Sequence, residues 1–82
     1  MKLSESERQV LLAVGRASRR QAASDRQSLE EIAEAEMGTL LDWDDAFVGL
    51  TEKGLMFQSG ENYLLTKEGE ARGEREQEVH LP

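Results

Sequence analysis

TLLDWDDAFVGLTEKGLMFQSGENYLLTKEGEA, residues 39–71, reads as a short helix, a glycine stop and a β-hairpin. Trp43, Phe47 and Leu50 recur at i, i+4 and i+7 on one helical side, and Asp42 is placed to cap the helix by accepting from its free N–H groups. The opposite side carries Asp44, Asp45, Val48, Gly49 and Glu52. Gly54 ends the helix. Leu55, Phe57, Tyr63 and Leu65 then alternate with other residues on either side of Ser59-Gly60-Glu61-Asn62, where the small polar residues and Gly60 permit a tight reversal. The expected bounds are a helix over 43–53 and strands over 55–58 and 63–66.

Working back toward the start of the chain, Ser28 with Glu31 forms a capping-box pattern, and Leu29, Ile32, Ala33 and Met37 follow at helical spacing before Gly38. This predicts a helix over 29–37, with Thr39-Leu40-Leu41 as a brief turn into the next, the arrangement of a helix-turn-helix unit. Ser4 with Glu7 repeats the capping box, and Val10, Leu11, Val14 and Ala17 share one helical face, so a first helix covers 5–18. Gly15 within it costs about 1 kcal/mol of helix propensity against alanine, which points to a neighbour approaching closely there. Residues 19–27 hold no apolar side chain larger than alanine and read as a loop or frayed helix end. Beyond the hairpin, Thr66 is placed to cap a last helix from Lys67 onward, with Ala71 and Val79 as its apolar contacts and Gly69 and Gly73 weakening it. The domain is therefore expected over residues 1–72, with 73–82 a polar, flexible tail.

Composition sets the class. In 82 residues there is room for one small domain with a modest core, and 38% hydrophobic with 33% charged residues fits a soluble, globular chain. The longest apolar run, residues 10–14, is far short of a membrane span, so no membrane association and a cytoplasmic location are expected. With no cysteine, disulfides, thiolate zinc sites and cysteine nucleophiles are excluded together. The net charge of −7 repels phosphate at a distance and disfavours nucleic acid and anionic lipid as non-specific partners.

The order helix, helix, helix, hairpin, with Lys53-Gly54-Leu55-Met56 and Tyr63-Leu64-Leu65-Thr66-Lys67-Glu68-Gly69-Glu70-Ala71, resembles the winged helix-turn-helix superfamily, most closely its MarR-like and PadR-like regulators. The resemblance covers residues 4–72. It implies an α+β fold of three helices plus a two-stranded β-wing and a polar C-terminal tail, and transcription regulation as the usual role. It also implies that the recognition-helix positions are Asp44, Asp45, Val48, Gly49 and Glu52. None of these is Arg, Lys, Asn or Gln, the side chains that best match guanine and adenine edges. The wing, residues 58–62, also lacks Lys and Arg. If DNA binds, phosphate contacts fall to the one basic cluster, Arg16, Arg19, Arg20 and Arg26.

Signals for catalysis are weak. His80 is the only histidine, and its i, i+4 spacing from Glu76 supplies two metal ligands with no third or fourth specified. No phosphate-cradling glycine loop or nucleophile elbow is written in the chain, so no catalytic residue, cofactor or metal is assigned. Trp43, Phe47, Phe57 and Tyr63 are assigned to the core. Three readings follow. The first is a non-enzymatic binding module that holds a basic protein partner through the acidic outer face of the third helix. The alternative is a DNA-binding regulator, and an accessory domain of an enzyme is a third reading. The oligomeric state is left open by the sequence.

Overall fold

A computed structural model of the chain describes residues 2–37 and 43–80. The elements run α1 (Glu5–Arg19), α2 (Arg26–Met37), α3 (Trp43–Glu52), β1 (Met56–Ser59), β2 (Asn62–Leu65) and α4 (Lys67–His80). The result is a small α+β domain of four helices and one two-stranded antiparallel sheet. The expected third-helix cap at Asp42, the 39–41 turn, and the side chains of Met37, Val79 and His80 lie outside the described residues.

Helix α1 is the central element, touching α2, α3, α4 and β2. Its start follows the capping box: the Ser4 hydroxyl accepts from the Glu7 N–H at 3.1 Å, and the Ser4 N–H donates to the Glu7 carboxylate at 2.8 Å. Val10, Leu11, Ala13, Val14 and Ala17 are fully buried around it. At its end the Ala22 N–H donates to the Ala17 carbonyl and the Gln21 N–H to the Ser18 carbonyl. This reversal holds Gln21 at φ 53°, a left-handed conformation usually given to glycine.

Helix α2 begins three residues before its expected start, because Asp25, not Ser28, supplies the cap. The Asp25 carboxylate accepts from the Ser28 hydroxyl at 2.7 Å and faces the Ser28 N–H at 3.4 Å. The Ser28 hydrogen bonds, led by the hydroxyl, draw the Asp25 pKa below its ordinary value. The segment before it is also more ordered in its bonding than the loop reading implies. Asp25 forms an antiparallel bridge with Asn62, the Tyr63 N–H donates to the Ser24 carbonyl, and the Ser24 N–H donates to the Asn62 side chain. These bonds cover the outer edge of β2.

Helix α3 buries Trp43, Phe47 and Leu50 as its spacing predicts, and Ala46 beside them. Gly54, at φ 74°, turns the chain out of it while the Leu55 N–H donates to the Leu50 carbonyl, closing the helix end. The hairpin is tighter than expected, with strands over 56–59 and 62–65. It pairs Met56 with Leu65, Phe57 with Leu64, Gln58 with Tyr63 and Ser59 with Asn62. Because neighbouring strand residues face opposite ways, burial of Met56 turns Phe57 outward, where it is 44% exposed beside Leu64. The core assignment of Phe57 is thus corrected, whereas Tyr63 stacks on Phe47 at 4.5 Å between ring centres.

Thr66 caps α4 as expected, its hydroxyl accepting from the Gly69 N–H at 3.0 Å. Residues 73–80 continue this helix. Its inward face differs from the expectation: Ala71 is exposed, and Gly69 and Gly73 are buried in its place. A Cβ on Gly69 would lie 1.9 Å from the Leu55 carbonyl oxygen, so the missing side chain is what lets α4 approach Leu55, in the connection between α3 and β1. Gly15, by contrast, would find only ordinary contacts at 3.7 Å and beyond, and is not a point of close approach.

Candidate functional site

The residues of the α3 outer face separate into a centre and two flanks. Val48 is the centre, 56% exposed, and the most exposed large hydrophobic side chain among the described residues. Asp44, Asp45 and Glu52 are exposed around it. On the α2 flank, Asp44 accepts from the Arg26 guanidinium at 2.6 Å. Arg26 also reaches Glu30 at 3.3 Å and lies over the Phe47 ring, 5.6 Å from its centre. The Asp44 hydrogen bond raises the Arg26 pKa further above its ordinary value. On the α1 flank, Asp45 borders a shallow depression with Ser4, Ser6 and Glu7.

Gly49 does not belong to the outer face. It is half-buried against α1, and a Cβ there would lie 2.1 Å from a Glu7 carboxylate oxygen. The space left by this glycine admits the Glu7 side chain, whose two oxygens both accept from the Lys53 ammonium at 2.7 Å. Burial pushes the Glu7 pKa upward, but Lys53 and the Ser4 donors together outweigh it and hold the carboxyl below its ordinary value. The pair ties the start of α1 to the end of α3. The sequence gives little sign of it, because Glu7 and Lys53 are 46 residues apart and the glycine within α3 is its local trace.

The four arginines sit in different surroundings. Arg16 is half-buried, with one guanidinium nitrogen enclosed and lacking a hydrogen-bond partner. Arg26 is engaged with Asp44 and Glu30. Arg19 and Arg20 are exposed near the end of α1. The hairpin, 56–65, presents no Lys or Arg and carries Glu61 at its tip.

Glu76, considered with His80 as a metal pair, accepts from Arg72 at 2.9 Å. Among the described residues there is no group of three or more His, Cys, Asp or Glu side chains able to hold a metal ion. No helix among them is long and apolar enough to cross a membrane.

The α3 face is therefore an acidic helical surface with an apolar centre on a small α+β domain. Set against known proteins, the chain matches no family model, no curated protein and no solved structure.

Proposed function

We propose that this chain is a non-enzymatic, winged-helix-type binding module that holds a basic partner protein through the outer face of α3. The observation that carries the reading is the exposed Val48 bordered by Asp45 and Glu52, with Asp44 and Arg26 paired beside it and Lys53 held by Glu7. A small apolar centre with a charged rim is the layout of a protein interface: the centre slows dissociation and the rim steers association. A phosphate backbone approaching the same face meets carboxylates and a hairpin without cations, so the DNA-binding regulator is the weaker alternative. A cytoplasmic location belongs to the same proposal.

The test is affinity capture by the tagged chain, with and without nuclease, alongside Val48→Asp. The proposal expects a protein captured equally after nuclease treatment and lost from Val48→Asp. Capture that disappears with nuclease, or that Val48→Asp leaves unchanged, overturns it.

A further inference from the structure

A second apolar surface lies away from α3. The outer face of the hairpin, α1 and α4 enclose a groove of about 370 Å³. Leu12 lies in its α1 wall, and the cross-strand pair Phe57 and Leu64 lines it while remaining 44% and 39% exposed. Apart from Val48, these two are the exposed large hydrophobics among the described residues. The charges at the groove are sorted by element, with Arg19 on α1 and Glu70 and Glu74 one turn apart on α4. None of the three has an ion-pair partner among the described residues.

We infer that this groove is the contact surface of a homodimer. A partner of one charge sign would satisfy one wall and be repelled by the other. A second copy, brought in by a two-fold rotation, carries both signs in the matching order, so that each Arg19 faces the other copy's Glu70 and Glu74. Phe57 and Leu64 of the two copies then cover one another at the centre, removing from water the apolar surface that a single copy leaves open. No α3 residue lines the groove, so the dimer presents two α3 faces to bivalent partners, and either proposal can fail without the other.

The two-fold arrangement has a specific signature. Arg19→Glu places like charges across its own homodimer, as does the double variant Glu70→Arg with Glu74→Arg; mixed together, every rim pair becomes complementary. Sedimentation equilibrium at about 0.15 M salt is expected to give twice the 9.2 kDa chain mass for the parent protein. Each charge variant alone, and Phe57→Ser, should dissociate at least about tenfold more readily. The equimolar mixture of charge variants should return to the doubled mass. All the altered side chains are exposed, so circular dichroism should match the parent. A parent that stays at 9.2 kDa up to millimolar concentration overturns the inference. So do variants that dimerise as the parent does, and a mixture that stays monomeric.

Discussion

Glu7 joins three separate pieces of local chemistry in one side chain: it closes the capping box on Ser4, holds Lys53, and occupies the space that Gly49 leaves open. Its folded pKa lies below the unfolded value, so the stability it contributes is fully present above pH 4.5 and is lost as pH falls through the folded value. Glu7→Gln should therefore lower stability by about 1.5–3 kcal/mol at neutral pH, the usual scale for a hydrogen bond to a charged group. The gap should shrink as pH falls from 4.5 through the folded value, which urea midpoints along a descending pH series will show; an unchanged gap would assign the loss to packing. Phe47 is the corresponding residue of the core, edge-on to Trp43 at 5.4 Å and stacked on Tyr63. Removing a buried aromatic costs about 3–5 kcal/mol, comparable with the whole stability of a small domain. Phe47→Ala is expected to leave most of the chain unfolded at room temperature, and dispersed amide spectra with an unchanged denaturation midpoint would contradict that packing.

The secondary-structure elements were legible where local chemistry specifies them and obscure where the fold does. The Ser4–Glu7 box, the Trp43–Phe47–Leu50 spacing and the Gly54 stop each act within a few residues, and the structure reproduces all three. The hairpin register differs from the one the alternation suggests because Leu55, Met56 and Phe57 are consecutive apolar residues. Hydrophobicity alone cannot tell which of them face inward, and burial of Met56 settles it. The Asp25 cap is local, resting on Ser28 three residues on, but the neighbouring Ser28–Glu31 pattern competes with it as a start signal; only the bridge from Asp25 to Asn62 is hidden by distance along the chain. The packing of α4 is also hidden, since its buried residues among those described are glycines and lack the apolar side chains that mark an inward face. The two glycines separate cleanly. Gly69→Ala drives a methyl into the Leu55 carbonyl and should cost about 1–3 kcal/mol. Gly73→Ala meets nothing within 4 Å and should gain up to about 1 kcal/mol from helix propensity. Thermal midpoints moving in opposite directions would bear this out, and midpoints moving together would place α4 elsewhere.

At the scale of the whole molecule, a net charge of −7 combines with a committed Arg26, a half-buried Arg16 and a hairpin without cations, leaving little positive surface for a phosphate backbone. Generic duplex DNA should bind more weakly than the ~10⁻⁴ to 10⁻⁶ M of non-specific binders at physiological salt. Fluorescence anisotropy of a labelled duplex checks this, and micromolar binding that survives Arg19→Ala with Arg20→Ala would favour the regulator reading. The sequence correctly located Asp44, Asp45, Val48 and Glu52 on one exposed arc because helical spacing depends only on α3. It placed Gly49 there too, since nothing local announces that α1 approaches on that side. Association kinetics with the captured partner, measured at two ionic strengths, test the α3 interface most directly. Asp44→Asn with Asp45→Asn should slow association and flatten its salt dependence, while Val48→Asp should speed dissociation; rates for both variants equal to those of the parent would show that α3 is not the binding surface.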